Sequence, residues 1–378
     1  MKFRNFIKGK VTMAKILMIN LPAHGHVNPT LALARELSNR CHEVSYLISE
    51  EFREEIEATG AKVISYSEKI KSMSSVEGLV SYVPIIYDMA LKIGINYDCI
   101  IYEMIFYMGK QLGYFLNKPT VHLISTFAIN EKMANAVPKS TSIKSKLIEF
   151  YKKSLIDVPD LNLVYTSKEF QVHSEQFDHN IFKFVGPSIS KRIIKIDIPF
   201  DRLKETVIYI SFGTIINISP DFFKDCVKAF SDMEVTVIMS VGKRIYIDAL
   251  GPIPDNFLVY PSVPQLEILK HSDVFITHGG MNSVHEAMYY GIPVIAIPQC
   301  ADQPIVAKRL EQLMLGKVLN KDEISAECLR STVNEILHNS TYRRNMLRMS
   351  KAMISAGGYK TSADEIENYI YNKRTMDK

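Results

Sequence analysis

Short apolar runs alternate with longer amphipathic stretches along most of the chain. Residues 15–20 form the first apolar run, and the stretch that follows places Leu33 and Leu37 on one face of a helix. Asn28 can cap this helix, and Pro29 suits its first position, where proline loses no hydrogen bond. Alternation of this kind predicts parallel β-sheets with crossover helices, which is an α/β fold.

The remaining predicted strands fall into two series along the sequence. They are 44–48, 63–66, 99–102 and 121–125 in the first series, and 207–212, 235–241, 274–277 and 293–297 in the second. Between the series, residues 187–204 lack helical periodicity and contain Pro187 and Pro199. We therefore predict that 187–204 is a linker between two domains.

A chain of 378 residues is too long for one ordinary hydrophobic core, which also favours two domains. We assign residues 13–186 to the first domain and 205–360 to the second. Each is predicted to be a doubly wound parallel sheet, and two such domains in tandem are expected to face each other across a cleft. Ligands of such sheets bind at the carboxyl ends of the strands.

Composition narrows the class of protein without naming its chemistry. Hydrophobic residues make up 47% and charged residues 23%, a balance typical of soluble globular proteins. The net charge of +4 is too small to indicate a nucleic-acid partner. The five cysteines form no CxxC pair, and no run of about 20 apolar residues indicates a membrane span. We expect a cytoplasmic protein without stable membrane insertion.

Two basic segments have alternative interpretations. Residues 1–12, followed by the apolar run 16–19, superficially resemble a signal peptide, but the run is short and leads into Asn20. A buried first strand is the better interpretation. Residues 139–153 carry five lysines, which could form a membrane-surface or anionic-acceptor patch. A solvated helix face is favoured there.

Two loops rich in small residues follow strands of the second domain. Strand 274–277 ends in His278-Gly279-Gly280, and a helix is predicted to start near Asn282 and Ser283, either of which could cap it. Strand 207–212 leads similarly into the loop 211–214. Glycines allow a ligand to approach the backbone, and helix N-termini attract phosphate. Each loop alone could be a tight turn, but the pair favours a diphosphate site.

The sequence of these loops resembles the donor-binding signature of the family 1 glycosyltransferases. The segments that carry the resemblance are 262–265, 278–283, 286–287 and 301–303, supported by 22–29, 184–188 and 239–243. The match runs from residue 13 to about 371 and is most similar to bacterial macrolide and flavonoid glycosyltransferases. The resemblance implies the GT-B fold, two Rossmann-like domains facing a cleft. It also implies a last helix, within 361–378, that crosses back onto the first domain.

The same resemblance implies roles for residues of the second domain. His278 and the loop after Gly279 would hold the diphosphate, Glu286 the ribose hydroxyls, and Asp302 with Gln303 the transferred sugar. The full donor-binding set is Ser211, Gly213, Thr214, Val263, Gln265, His278, Gly280, Asn282, Ser283, Glu286, Asp302 and Gln303. Many relatives stack the nucleotide base on a tryptophan where this chain has Ser262, and the chain contains no tryptophan.

Two histidines, His24 and His26, follow the first predicted strand. A metal fragment is one interpretation, but no further ligand stands at a supporting spacing, and a structural role is another. Sugar transfer requires a base, and a neutral imidazole is well matched to that task near pH 7. The resemblance selects His26 as the base and Glu103, where relatives have an aspartate, as its partner. His24 would shape the acceptor pocket.

Acceptor contacts are expected from the first domain. The resemblance points to 82–86, 106–108 and 127–130, among which Phe106 and Phe127 are candidates, although either could be an ordinary core residue. No Asp-x-Asp pair occurs in the chain, so no metal and no other cofactor are expected beyond the UDP-sugar co-substrate. The predicted partners are this donor and a small hydrophobic acceptor. The expected oligomeric state is a monomer or weak dimer.

The sequence therefore predicts an inverting transferase that moves a hexose, with UDP-glucose as the expected donor. Other activities stay open. A nicotinamide-dependent oxidoreductase would need a GxGxxG after the first strand, which is absent. A nucleotide-sugar epimerase, a lipid-acceptor transferase and a non-catalytic nucleotide-sugar sensor are all compatible with the GT-B fold.

Overall fold

The computed structural model describes residues 13–66, 82–132, 157–190, 196–213, 219–300 and 302–376. The strands are β1 (Lys15–Ile19), β2 (Glu43–Ile48), β3 (Lys62–Ser65), β4 (Cys99–Glu103), β5 (Thr120–Ile124), β6 (Leu161–Val164), β7 (Phe182–Phe184), β8 (Val207–Ser211), β9 (Thr236–Ser240), β10 (Phe257–Tyr260), β11 (Val274–Thr277), β12 (Val294–Ala296) and β13 (Gly316–Val318). The α-helices are α1 (His24–Asn39), α2 (Arg53–Glu57), α3 (Val83–Gly94), α4 (Gly109–Leu116), α5 (Pro220–Phe230), α6 (Gln265–Leu269), α7 (Met281–Tyr290), α8 (Gln303–Gln312), α9 (Ala326–His338), α10 (Ser340–Ser355) and α11 (Gly358–Met376).

The described residues divide into two compact units. The first contains the chain up to Tyr165, the segment His173–Ser188 and everything from Gly357 onward. The second contains Thr166–Val172 and Ile189–Ala356. The chain therefore passes between the units more than once, and α11 belongs to the first unit although it follows the second in sequence.

The segment Thr166–Val172 corrects the predicted domain boundary. The sequence placed it in the first domain, 13–186, whereas it packs with the second unit. The guanidinium of Arg309 donates to the carbonyl oxygens of Phe170 at 3.0 Å and Glu169 at 2.9 Å. These contacts join residues about 140 positions apart, which local periodicity does not record. The sequence pattern therefore could not show where the chain passes into the second unit.

The first unit is built on a parallel sheet with the strand order β3-β2-β1-β4-β5-β6-β7. Its central strands are continuous apolar runs because helices cover both faces, and Ile16, Leu17, Met18 and Ile19 are all fully buried. The direction of winding reverses between β1 and β4, which are hydrogen-bonded neighbours. This pair marks the topological switch point, where the strand ends leave a crevice.

The second unit has a parallel sheet of the same kind, with the order β10-β9-β8-β11-β12-β13. Its switch point lies between β8 and β11, where Ser211 stands opposite Thr277. The predicted fold class, doubly wound parallel sheets of the Rossmann type, is thus confirmed for both units. The sequence missed β6 and β7 in the first sheet and the edge strands β10 and β13 in the second. These strands are three or four residues long and give little pattern.

Helix α1 starts earlier than the sequence predicted. The carbonyl oxygen of Ala23 accepts the N–H groups of His26 at 2.8 Å and Val27 at 2.9 Å, so the first turn forms ahead of the expected cap Asn28. Pro29 therefore lies inside the helix and not at its first position. The prediction that Asn28 caps the helix is wrong, and the correction places His26 in the first turn.

The last helix, α11, packs against α1 within the first unit. Arg40 donates to Asp364 at 2.6 Å and to Glu367 at 2.8 Å, and the buried ring of His42 contacts Glu367 at 3.0 Å. The helix begins at Gly358, three residues before the predicted segment 361–378. Among the described helices, none is both long enough and apolar enough to cross a membrane.

Candidate active site

A histidine and a glutamate meet at the switch point of the first sheet. His26 lies in the first turn of α1, and Glu103 is the last residue of β4. Because β1 and β4 are neighbours, the residues that follow them meet at one sheet edge. The His26 Nδ1 atom lies 2.7 Å from Glu103 Oε1. The Glu103 side chain is 0% exposed, whereas the His26 side chain is 27% exposed.

The buried Glu103 carboxylate has further hydrogen-bond donors. Ser125 donates its hydroxyl to Oε1 at 2.7 Å, and the backbone N–H of Ile105 donates to Oε2 at 3.1 Å. A buried carboxylate needs such donors to offset its loss of hydration. The sequence did not select Ser125. The signal was its place directly after β5, the strand that pairs with β4.

The surroundings of His26 determine which ring nitrogen carries the proton. An ionised carboxylate can only accept hydrogen bonds, so Nδ1 donates to Glu103 and the lone pair of the neutral ring lies on Nε2. Ser125 Oγ also lies 3.3 Å from Nδ1. This arrangement can accept a proton at Nε2 while the carboxylate stabilises the resulting imidazolium.

The three acceptor candidates lie in different environments. His24 is exposed, with its ring edge-on to Phe52 at 5.0 Å between centroids. Phe106 is fully buried and packs edge-on against Tyr102. In this structure it packs as a core residue, and its place in the acceptor pocket stays a prediction. Phe127 is buried as well, but it lines a small cavity in the first unit.

In the second unit, two loops meet at the switch point between β8 and β11. The ring of His278 lies between two glycines, because a Cβ atom at Gly213 would stand 3.1 Å from its Cε1 and one at Gly280 would overlap with its Nε2. Gly213 also has a φ of +73°, which disfavours other residues. Burial lowers the pKa of His278 to about 4, so the ring is neutral at pH 7. Thr214, the last residue predicted for these loops, lies outside the described residues.

Helix α7 begins at Met281, and Gly280 occupies the N-cap position. Asn282 and Ser283 therefore lie within the first turn, and the prediction that one of them caps the helix is wrong. Glycine at the cap offers no side-chain oxygen to occupy the first-turn N–H groups, and no acidic side chain lies in that turn. Such a helix end attracts an anion.

A buried carboxylate lies further along the same helix. Glu286 accepts a hydrogen bond from Gln265 Nε2 at 2.6 Å, so two residues predicted for ribose and base binding are brought together. Gln265 Oε1 in turn accepts from the hydroxyl of Tyr209 at 3.1 Å. The sequence did not identify Tyr209, which appeared only as one apolar residue of a buried strand.

The remaining predicted donor residues lie at the start of α8 and before α6. Gln303 Oε1 accepts the backbone N–H groups of Gln299 at 2.8 Å and Cys300 at 3.1 Å, so its amide holds the loop that precedes α8. Asp302 occupies the N-cap position of this helix, and Val263 is buried.

Within the described part of the chain, no cluster of three or more His, Cys, Asp or Glu residues could hold a metal ion.

Comparison with known proteins assigns the chain to a family. The family profile described as "UDP-glucoronosyl and UDP-glucosyl transferase" matches residues 203–354. The chain is 36% identical to the NDP-glycosyltransferase YjiC of Bacillus subtilis, over 94% of this chain and 97% of that protein. It is 27% identical to the oleandomycin glycosyltransferase of Streptomyces antibioticus, over 95% of this chain and 91% of the relative.

A solved structure supports the same architecture. The glycosyltransferase of kitacinnamycin superposes with a TM-score of 0.81 at 23% identity, covering 94% of this chain and 99% of that chain. The chain belongs to the UDP-glucuronosyl and UDP-glucosyl transferase family, and it is therefore a hexosyltransferase with the GT-B fold. The resemblance seen in the sequence is confirmed.

Proposed function

We propose that this enzyme transfers glucose from UDP-glucose, with inversion, to a hydroxyl group of a small hydrophobic acceptor such as a macrolide or a phenol. The observation that carries the proposal is the 2.7 Å contact between His26 Nδ1 and the buried Glu103 carboxylate at the switch point of the first sheet. A base held in one tautomer by a carboxylate is what activation of a hydroxyl requires.

The proposed reaction is a single displacement. The acceptor oxygen attacks the anomeric carbon while its proton passes to His26 Nε2. The bond between the anomeric carbon and the diphosphate oxygen breaks, and UDP leaves with the electron pair. Attack opposite the leaving group inverts the anomeric configuration. Glu103, held by Ser125 and Ile105, stabilises the imidazolium and acts through His26.

The donor would be held by the second unit. The first turn of α7 and the neutral ring of His278 stabilise the charge that develops on the departing diphosphate. Glu286 accepts the ribose hydroxyls, while Asp302 and Gln303 contact the sugar. Because helix N–H groups and His278 supply this stabilisation, we propose that no divalent metal is required.

The proposed acceptor class is supported by the name of a relative. The relative from Streptomyces antibioticus is named for oleandomycin, a macrolide.

The cysteines of this chain are free, which suits the reducing cytoplasm that we propose as its compartment.

A direct test combines the protein with UDP-glucose and a panel of macrolides and phenols, in the presence of EDTA. We expect a glucosylated product whose anomeric proton, measured by NMR, shows the β configuration, opposite to that of the α-linked donor. A product with retained configuration would contradict single displacement. Activity that EDTA abolishes and magnesium restores would contradict metal independence.

A further inference from the structure

Helix α10 of the second unit presents a face to solvent that carries positive charge and no negative charge. The helix, Ser340–Ser355, contains three arginines and one lysine but no aspartate or glutamate. Tyr342, Met346 and Met349 are buried on its other side, at the spacing of a single helical face. We call the exposed side the basic face of α10, and its charged and large apolar residues are Arg343, Arg344, Leu347, Arg348, Lys351 and Ile354.

The four cations of the basic face are not neutralised by neighbouring carboxylates. Among the described residues, none of the four forms an ion pair. Cations on the elements around α10 are paired instead, since Lys317 lies 3.1 Å from Glu335 and Arg330 lies 2.8 Å from Asp232. Clustered charge of one sign creates a local potential that attracts the opposite charge. The basic face therefore suits an anionic surface.

Two large aliphatic side chains lie among these cations. Leu347 is 46% exposed and Ile354 is 51% exposed. They are about two helical turns apart on the same side of the helix, with Lys351 between them. A single exposed aliphatic side chain is ordinary in a soluble protein. A pair of them within a cationic face matches the boundary of a lipid bilayer, where charged headgroups adjoin hydrocarbon.

We propose that the basic face of α10 docks the enzyme reversibly on anionic lipid bilayers. Headgroup phosphates would meet the cations, and the boundary of the acyl chains would receive Leu347 and Ile354. The phosphate backbone of a nucleic acid or an acidic protein segment would also attract the cations, but neither offers hydrocarbon to these two side chains. Docking of this kind requires no spanning helix and is independent of which sugar and acceptor the enzyme uses.

Flotation of the full chain with lipid vesicles measures this docking. At low salt we expect the wild type to bind vesicles of phosphatidylglycerol and phosphatidylcholine in equal amounts, and not vesicles of phosphatidylcholine alone. High salt should release the protein, because it screens the attraction. Arg343→Gln combined with Lys351→Gln should lower the partition coefficient roughly 25-fold, because each cation near an anionic bilayer contributes about fivefold.

Lys224→Gln combined with Lys228→Gln is the matched control. It removes the same charge from α5, where both lysines reach solvent beside aspartates of the same helix. This variant should bind the mixed vesicles as the wild type does. An equal loss of binding in the control would overturn the proposal, because net charge alone would then explain the attraction. Circular dichroism should show the same fold in both variants, since none of the substituted side chains is buried.

Leu347→Ser combined with Ile354→Ser separates a bilayer from other anionic partners. If the two side chains enter the bilayer, this variant should bind the mixed vesicles about tenfold more weakly although all four cations remain. Unchanged vesicle binding in this variant would overturn the proposal, as would a wild type that binds no vesicles at low salt. Tighter binding of the wild type to double-stranded DNA or polyglutamate than to the mixed vesicles would also overturn it.

Discussion

At the residue scale, two histidines of the candidate site differ in their surroundings and therefore in their chemistry. The His26 side chain is 27% exposed, and its Nδ1 atom lies against the buried Glu103 carboxylate, which leaves Nε2 as the nitrogen with the lone pair. Burial lowers the pKa of His278 to about 4, so this ring acts as a neutral hydrogen-bonding group. One histidine is thus suited to move a proton and the other to hold an anion by a hydrogen bond.

The position of His278 depends on the absence of a side chain at Gly280. We expect Gly280→Ala to displace the ring, because the added Cβ atom would overlap with Nε2, and to weaken UDP binding about tenfold. The φ of Gly280 is −63°, which alanine adopts freely, so thermal stability should change little.

A double-mutant cycle with His278→Ala tests that explanation. If Gly280→Ala acts by displacing the histidine, the double variant should bind UDP no more weakly than His278→Ala alone. Additive losses in the double variant would show that Gly280 acts by another route.

At the element scale, helix α7 has two polar functions. Its N-terminus faces the loops of the candidate donor site, while His285 on the same helix contacts Thr166 Oγ1 at 3.0 Å through Nε2. Together with Arg309 of α8, this contact holds Thr166–Val172 in the second unit. The same helix therefore contacts the segment Thr166–Val172 and has its first turn at the candidate donor site.

Because His285 is buried, stability should depend on pH in a defined direction. Burial lowers its pKa from 6.5 to about 3, so the unfolded chain binds a proton at pH 5 that the folded chain does not. The stability that His285 contributes is therefore present above about pH 6.5 and is lost as the pH falls towards 3.

Urea unfolding of the wild type and His285→Gln at pH 7 and pH 5 measures this effect. We expect the wild type to lose about 2 kcal/mol more of its free energy of unfolding than the variant between these pH values. Equal losses would show that His285 is not the group responsible.

At the scale of the whole molecule, the two sheets share the strand order 3-2-1-4-5-6 counted within each unit, to which the first sheet adds a seventh strand. Each sheet has its polar residues at the switch point. The sequence predicted the central strands because parallel strands covered on both faces are continuous apolar runs. Glu103 and His278 directly follow predicted strands, whereas the family resemblance selected His26 as the base and Glu103 as its partner. Glu103 is one methylene longer than the aspartate of relatives, and its Oε1 atom lies 2.7 Å from His26 Nδ1, so the longer side chain also makes this hydrogen bond.

Other parts of the site depend on contacts that no local pattern records. The hydrogen bonds of Ser125 and Tyr209 depend on strand pairing and helix packing. The burial of Phe106 depends on its neighbours Tyr102 and Tyr87. The boundary between the units at Thr166 depends on the guanidinium of Arg309, which lies far along the chain. Such features are set by register and long-range packing, so the sequence could supply candidates for them but not their arrangement.

The central claim is that His26 is the base for sugar transfer, and its replacement tests it most directly. With UDP-glucose and an acceptor at saturation, we expect His26→Ala to lower the transfer rate between about 100-fold and 10,000-fold while the dissociation constant of UDP stays unchanged. His179→Ala, which alters an exposed histidine of the same unit, should transfer glucose at the wild-type rate. Transfer by His26→Ala at the wild-type rate would contradict the account.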